Sequence, residues 1–295
     1  MGLALRRLAG WLKAVLPAGV KERIKRRLRS LRLREIRNQQ VPVTIAEFEQ
    51  ALRKLGVASG QVLFVHSGAD WLRSVEGGPI KIMELLRRML GDEGTLALPS
   101  FPFDGLAAEY LAAGSFDVRS SPSKMGLLTE LFRRLPGVRR SLHPTHSVCA
   151  AGWLADHLTD SHHLDPRPFG PLSPFWRLEE QQGKILMLGV NTDFLTHVHV
   201  VEDCMGESFP GRVYFPEPVA VSVVNQEGNA EVLKTLVHNP AMSRLKSISR
   251  YEGEWQKAGA LRCARIGHIE LRLLDARGLS EHLQSWAREG KTIYE

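Results

Sequence analysis

The fold class is decided by residues 62–99, VLFVHSGADWLRSVEGGPIKIMELLRRMLGDEGTLALP. Residues 62–65 form an uninterrupted apolar run that is typical of a buried strand, and residues 95–98 form a second one. Between them, Gly77-Gly78-Pro79 opens a segment of helical periodicity that predicts a helix through about Leu90. A strand, a helix and a strand in this order predict a βαβ unit with parallel strands, and therefore an α/β protein.

The residues that follow the two predicted strands are candidates for ligand contacts. His66 and Ser67 come after the first strand, and Ser100 and Phe101 come after the second. Both pairs therefore lie at the carboxyl edge of the predicted sheet, where α/β proteins usually bind ligands. Elsewhere we expect a capped helix after Thr44, a helix over 125–135, a buried strand over 184–190, a hairpin from residue 219 and a terminal helix over 279–288.

Composition is ordinary for a globular protein, with 43% hydrophobic and 24% charged residues. No apolar run approaches the roughly 20 residues of a membrane-spanning helix, and we expect no signal peptide in the basic N-terminal residues. The three cysteines include no CxxC pair, which predicts a cytoplasmic protein without disulfides and without a thiolate zinc site. Cys149 lies in the apolar run 148–151, so we expect a buried thiol rather than a nucleophile.

Charge divides the chain at about residue 40. Residues 1–40 hold twelve Lys or Arg and two acids, which is +10, so a net charge of +7 leaves −3 for residues 41–295. Two leucine-rich stripes with helical spacing predict a basic amphipathic arm over 1–40, followed by one domain over 41–295. Such an arm packs on the body or on a partner subunit, or it lies on an anionic membrane surface. The body shows no nucleic-acid motif, so no nucleic-acid partner is expected.

Histidines in predicted loops and at strand ends are the candidates for chemistry, because histidine is the usual general base near neutral pH. Glu202 lies three residues after His199, so on a helix the two side chains share one face. That carboxylate can then hold the imidazole in one tautomer. The candidate histidines are His66, His143, His146 and His199.

Several segments resemble, in sequence and in order, the signature of the aminoglycoside 3-N-acetyltransferase family over roughly residues 44–275. The most specific one is Arg-Leu-Pro-Gly-Val-x-Arg-Ser-Leu-His-Pro-Thr-His-Ser at residues 134–147. The others include Val65-His66-Ser67, Gly77-Gly78-Pro79, Gly94-Thr95-Leu96, Ser121-Pro122-Ser123-Lys124-Met125-Gly126 and Thr196-x-x-His199-x-x-Glu202.

This resemblance implies a single α/β domain with a mixed central sheet flanked by helices, distinct from the GNAT fold. It implies acetyl-CoA as cosubstrate, no metal, and direct acetyl transfer to an amine of an aminoglycoside or amino sugar. By similarity, His146 matches the catalytic histidine, with Glu202 as the supporting acid and His199 beside it. We predict contacts with acetyl-CoA for His66, Ser67, Met125, Gly126, Thr145 and Ser147.

The expected mechanism assigns proton abstraction from the acceptor amine to His146, with its ring oriented by Glu202. Backbone amides near Ser67 or the Ser147 hydroxyl are expected to stabilise the oxyanion of the tetrahedral intermediate. Positive charges on the loops of the acceptor side disfavour a polycationic antibiotic as the acceptor. These charges are Arg119, Lys124, Arg167 and Arg177. The basic arm would suit an enzyme that works near a membrane on glycolipid or sugar-nucleotide precursors.

Two alternatives of other classes stay open. One is a metal-dependent hydrolase, and the other is a non-catalytic member of the fold that binds acyl-CoA and a partner. The expected location is the cytoplasm, with peripheral contact to the inner membrane surface through residues 1–40. The sequence is compatible with a homo-oligomer but does not fix the oligomeric state. The metal ligands of the hydrolase would be His146, His199, Glu202 and Asp203.

Overall fold

The computed structural model describes residues 42–112 and 114–294, so the predicted arm over 1–40 lies outside the described residues. Residues from Val43 onward form one compact unit. Within the described ranges, no helix has both the length and the apolar character needed to cross a bilayer.

Strands account for the centre of this unit. They are β1 (Val62–Ser67), β2 (Thr95–Pro99), β3 (Phe116–Asp117), β4 (Arg139–Arg140), β5 (Val148–Gly152), β6 (Lys184–Leu188), β7 (Val219–Val224), β8 (Ala230–Thr235), β9 (Leu261–Ile266) and β10 (Ile269–Asp275).

The helices surround these strands. They are α1 (Ile45–Leu55), α2 (Gly78–Leu90), α3 (Ala107–Leu111), α4 (Leu127–Phe132), α5 (Ala155–Thr159), α6 (Pro174–Glu180), α7 (Val200–Met205), α8 (Pro240–Leu245), α9 (Glu252–Lys257) and α10 (Ala276–Arg288). Short 3₁₀ turns at Thr192–Phe194 and Thr196–His199 precede α7.

The decisive stretch folds as the sequence predicts. β1 and β2 are parallel, with Leu63 opposite Leu96, and α2 connects them. The capped helix after Thr44 is also confirmed, because the Thr44 and Glu47 side chains each bond to the other's backbone N–H. This helix, α1, buries Phe48 and Leu52 against the sheet layer that α2 also covers.

The main sheet has seven strands in the order β4-β5-β2-β1-β6-β10-β9. The neighbouring strands β2, β1 and β6 pair in parallel, while β5 and β10 join them antiparallel on either side. The expected mixed sheet is therefore confirmed. The three parallel strands end at one edge, so the loops that follow them meet there.

Each face of the main sheet has its own apolar core, because side chains alternate along each strand. Phe64 and Met187 point to a layer that includes α5, α6, α7 and α10. Leu63 and Val65 point to the opposite layer, which α1, α2 and α4 cover. A strand residue therefore faces one layer or the other according to its parity.

Two local predictions need correction, and a third is confirmed with an added strand. The helix expected over 125–135 spans only Leu127–Phe132, because Gly126 has φ 104° and a turn at Pro136-Gly137 follows. The strand over 184–190 ends at Leu188, since Gly189 has φ 62° and an added Cβ would lie 2.2 Å from the Trp71 ring. The hairpin from residue 219 is confirmed as β7 and β8, but β3 extends it to three strands.

We expect Gly152→Ala to destabilise the fold strongly. Gly152 has φ 124°, and its added Cβ would lie 2.1 Å from the Gly94 carbonyl oxygen across the β2–β5 pairing. Gly137→Ala is the matched control, because Gly137 has φ 76° but no atom within 4 Å of the added Cβ. Urea unfolding should show a loss of about 1–2 kcal/mol for the control and about 3 kcal/mol or more for Gly152→Ala. Equal losses of unfolding free energy in the two variants would show that the backbone around the β2–β5 pairing shifts to accommodate the added Cβ at little cost.

Candidate active site

Backbone hydrogen bonds close the carboxyl edge of the parallel strands into one site. The Ser100 N–H donates to the Ser147 carbonyl at 2.7 Å, which fixes the His-rich segment beside the end of β2. The Gly68 N–H donates to the Leu188 carbonyl at 3.1 Å, which joins the ends of β1 and β6. The structure therefore brings together the segments that the sequence placed at this edge.

A buried carboxylate organises one half of the site. Glu202 is 3% exposed, and its Oε1 accepts from His199 Nδ1 at 2.8 Å while Oε2 accepts from His238 Nε2 at 2.8 Å. The Tyr294 hydroxyl also donates to Oε1. Burial raises the pKa of Glu202, but the adjacent His199 and His238 outweigh burial and hold that pKa at about 2. Glu202 is therefore an anion at neutral pH.

The carboxylate fixes the tautomer of His199. An ionised carboxylate only accepts hydrogen bonds, so His199 Nδ1 carries the hydrogen and Nε2 carries the lone pair. Burial lowers the pKa of His199 to about 4, although the Glu202 charge opposes this shift. The ring is therefore neutral near pH 7 and has the form that a general base needs.

His146 has a different environment. Its Nδ1 lies 2.8 Å from Thr145 Oγ1, and its ring packs against Phe101 and Phe169 with centroid distances of 4.7 and 4.9 Å. Burial, then the positive potential of His238, lowers the pKa of His146 well below its usual range. The expectation that Glu202 orients His146 is wrong, because both carboxylate oxygens serve His199 and His238.

His143 and His162 support the turn that carries His146. His143 Nδ1 accepts the backbone N–H of His146 at 3.0 Å, and the two buried rings of His143 and His162 stack at 4.3 Å. His162 Nε2 donates to the Pro168 carbonyl at 3.0 Å, which leaves its Nδ1 to accept from the Ser141 hydroxyl at 2.9 Å. Both rings therefore have one defined tautomer.

The residues predicted to contact acetyl-CoA divide between the two faces of the sheet. His66 packs on Phe64 with a ring distance of 5.2 Å, and burial lowers its pKa to about 3. The next residue, Ser67, lies at the opposite face, where a Cβ on Gly126 would be 3.2 Å from the Ser67 carbonyl oxygen. Ser67 and Gly126 are therefore neighbours, with Met125 adjoining in sequence, whereas His66 belongs to the layer of His146.

The Ser147 hydroxyl is occupied by contacts within the protein. The residue is fully buried, and its hydroxyl donates to the Ser100 carbonyl at 2.7 Å and accepts from Arg140 Nε at 3.1 Å. A hydroxyl has a single hydrogen, so the expectation that Ser147 stabilises the oxyanion is wrong. Its role is to fix the His-rich segment against β2.

Two of the positive charges on the acceptor-side loops are paired. Arg119 contacts Asp117 at 3.3 Å, and Arg167 contacts Asp165 at 2.8 Å. The Arg177 guanidinium donates to a backbone carbonyl in α5. These charges therefore repel a polycationic acceptor less than the sequence indicates.

The ligand set proposed for a metal-dependent hydrolase is not assembled. Asp203 Oδ2 accepts the Phe169 N–H at 2.9 Å, away from the His199–Glu202 pair. The described residues instead place His199, Glu202 and His238 together, with ligand atoms within 4.8 Å of one another.

Sequence reasoning missed His238 and Tyr294. They lie 36 and 92 residues from Glu202 along the chain, and neither belongs to a periodic or spaced motif. The only signal was the residue type, a histidine in a loop and a tyrosine near the last residue. Cys149, by contrast, is confirmed as a buried core thiol whose pKa is raised by burial.

Comparison with known proteins gives consistent results. The family model described as aminoglycoside 3-N-acetyltransferase matches residues 64–288. Aminoglycoside N(3)-acetyltransferase IV of Salmonella sp is 34% identical over 238 residues, which cover 79% of this chain and 83% of that protein.

Solved structures share the fold. The aminoglycoside acetyltransferase AAC(3)-IVa, as a histidine-to-alanine mutant in complex with a gentamicin, has a TM-score of 0.68 and 28% identity. That match covers 86% of this chain and 92% of the other. AAC-IIIb in a binary complex with CoASH has a TM-score of 0.71 at 24% identity, covering 86% and 99% of the two chains. The predicted fold class is therefore confirmed.

We expect stability to fall as the pH drops below about 6.5, because the fold buries neutral histidines. The pKa values of His66 and His162 are lowered to about 3, so below 6.5 the unfolded chain binds protons that the folded chain does not. Each such histidine should reduce the free energy of unfolding by about 1.4 kcal/mol per pH unit between about 6.5 and 3. Urea unfolding at several pH values measures this slope.

His162→Gln should reduce the slope of that pH dependence, whereas His157→Gln, at an exposed position, should not change it. A slope that is the same in wild type and His162→Gln would contradict the assignment.

Proposed function

We propose that this chain, which belongs to the aminoglycoside 3-N-acetyltransferase family, uses His199 as the general base. The base acts in the transfer of an acetyl group from acetyl-CoA to an amine. The acceptor is an aminoglycoside or an amino sugar. The observation that carries the assignment of the base is the hydrogen bond of 2.8 Å between His199 Nδ1 and the buried Glu202 carboxylate.

Acetyl transfer requires a free amine. A sugar amine is mostly protonated at pH 7, so it must lose a proton before its nitrogen can attack the thioester carbon. His199 Nε2, which carries a lone pair, takes that proton. The C–N bond then forms and leaves a positive charge on the nitrogen, which loses its second proton to solvent. The tetrahedral intermediate collapses and the C–S bond breaks. CoA leaves as a thiolate and takes up the proton from His199.

Glu202 supports this step electrostatically. When His199 gains a proton, the imidazolium lies beside a buried anion, and the low dielectric of the layer strengthens their attraction. His238 and the Tyr294 hydroxyl hold the carboxylate in place. Proton transfer therefore requires little reorganisation of the site.

Support for an aminoglycoside acceptor comes from the relative AAC(3)-IVa, whose structure contains a gentamicin. Pairing of Arg119 and Arg167 with aspartates reduces the repulsion that a polycation would meet. An amino sugar attached to a nucleotide presents the same amine without the extra positive charges. Turnover of acetyl-CoA with gentamicin and with UDP-glucosamine distinguishes these two acceptor classes.

We expect His199→Ala and Glu202→Gln each to reduce kcat by about 10²–10⁴, because one removes the base and the other its counter-charge. Asp203→Asn is the matched control, since its side-chain oxygen can still accept the Phe169 N–H at this neighbouring position. It should keep most of the activity. Steady-state acetyl transfer to gentamicin, with acetyl-CoA binding checked by calorimetry, measures the effect. A His199→Ala variant with more than about a tenth of wild-type kcat would exclude His199 as the base.

Residues 1–40 are proposed to locate the enzyme rather than to catalyse, because none of the proposed site residues lies among them. Their net charge of +10 suits an anionic membrane surface, where each basic residue contributes about 1 kcal/mol. The body from residue 41 should then be active by itself.

A chain starting at Val41 should therefore keep its activity and lose sedimentation with phosphatidylserine vesicles at low salt. The full chain should sediment, and added salt should release it. A folded but inactive truncation would place the arm in the active site or in an essential subunit contact. A full chain that does not sediment with the vesicles at low salt would exclude the membrane role.

A further inference from the structure

The structure assigns His146 a role other than proton abstraction. We propose that its imidazole donates the Nε2 hydrogen to the acetyl oxygen of acetyl-CoA as negative charge develops there. This inference rests on the acetyl transfer proposed above. It gives the reaction an oxyanion donor in place of Ser147, whose hydroxyl is bonded to the Ser100 carbonyl.

The hydrogen-bond partners of Thr145 determine the tautomer of His146. The Thr145 hydroxyl has one hydrogen and lies 2.8 Å from His146 Nδ1 and 3.3 Å from His143 Nδ1. The lone pair of His143 Nδ1 already accepts the backbone N–H of His146 at 3.0 Å. Thr145 therefore donates to His146 Nδ1, and the single hydrogen of the neutral His146 ring resides on Nε2.

The residues behind Thr145 prevent the opposite arrangement. Because His143 Nδ1 is an acceptor, the hydrogen of His143 is on Nε2, directed at Thr235 Oγ1 at 3.4 Å. In the opposite tautomer His146 Nδ1 would donate to Thr145 Oγ1. Among the described residues the other contact of that hydroxyl is His143 Nδ1, whose lone pair is occupied, so the Thr145 hydrogen would lose its acceptor. The stack of His143 on His162 keeps the His143 ring from rotating away.

The surroundings of His146 favour an N–H donor over a base. Its ring contacts Phe101, Phe103 and Phe169 at centroid distances of 4.7, 5.7 and 4.9 Å, so the cationic form is poorly solvated. Among the described residues, Nε2 has no hydrogen-bond partner, and it is not sealed from solvent. A neutral N–H in an apolar wall interacts strongly with a developing oxyanion.

The two catalytic histidines are thus held in opposite tautomers by opposite partners. A carboxylate, which only accepts, leaves a lone pair on His199 Nε2, whereas a hydroxyl that donates leaves a hydrogen on His146 Nε2. His238 lies between them, with ring distances of 4.7 Å to His199 and 6.2 Å to His146. One ring can therefore face the amine while the other faces the acetyl oxygen. The oxygen accepts a hydrogen bond, and no proton leaves His146.

The test compares His146→Leu with His146→Gln, because a glutamine side chain can present an N–H close to the position of Nε2 but cannot act as a base. With gentamicin and acetyl-CoA, we expect His146→Leu to reduce kcat by about 10²–10³ and His146→Gln by less than about tenfold. In the plot of kcat/KM against pH, the pH at which activity falls on the acid side (the acid limb) should be unchanged in both variants, since His199 is the base. Glu202→Gln should move that limb.

Thr145→Val and Thr145→Ser provide a second test that leaves His146 intact. Valine removes the donor to Nδ1 and allows the other tautomer, so kcat should fall about tenfold or more, and serine should restore it.

If His146→Gln is as inactive as His146→Leu, or if Val and Ser at position 145 are equivalent, the donor role is wrong. A displaced acid limb in His146→Gln would make His146 the base. A wild-type enzyme that acetylates no amine would instead overturn the proposed function, and thermal unfolding checks that each variant folds.

Discussion

Burying the charge of Glu202 is the constraint on which the rest of the site depends. An ionised carboxylate at 3% exposure loses several kcal/mol of hydration, and only hydrogen-bond donors can compensate. Here the donors are His199, His238 and Tyr294, which belong to three separate segments. The loop before α8 and the residues after α10 must therefore converge on α7. The position of His199 follows from the requirement to satisfy Glu202.

Burial also determines the protonation state of the histidines in this layer. Burial lowers the pKa values of His66, His146 and His162, so each ring is neutral and must place its one hydrogen on a particular nitrogen. In water such tautomers interconvert freely, but here the tautomers of His146 and His162 are set by the nearest hydroxyl and carbonyl groups. The apolar layer thus converts chemically identical side chains into distinct ones, a proton acceptor at His199 and an N–H donor at His146.

Local patterns in the sequence predicted the parts of the fold that depend on short-range order. The βαβ unit, the capping box at Thr44 and the pairing of His199 with Glu202 involve residues that are close in the chain or share one periodicity. The partners His238 and Tyr294 could not be predicted, since only the tertiary fold brings them to Glu202. For the same reason the sequence paired Glu202 with His146, whereas the fold places the carboxylate between His199 and His238.

The charge balance of the site explains why one protonated amine is the fitting ligand. Glu202 contributes one negative charge among neutral histidines, and the adjacent Asp203 does not add a full second one, because burial raises its pKa to about 7. The positive charge of an incoming ammonium group therefore balances the negative charge of Glu202. After proton transfer, the His199 imidazolium and the Glu202 carboxylate together carry no net charge. The thioester carries no charge, so the reaction begins with a balanced site. Charge separates only when the oxyanion forms, and that is the moment at which an N–H donor such as His146 Nε2 lowers the energy most.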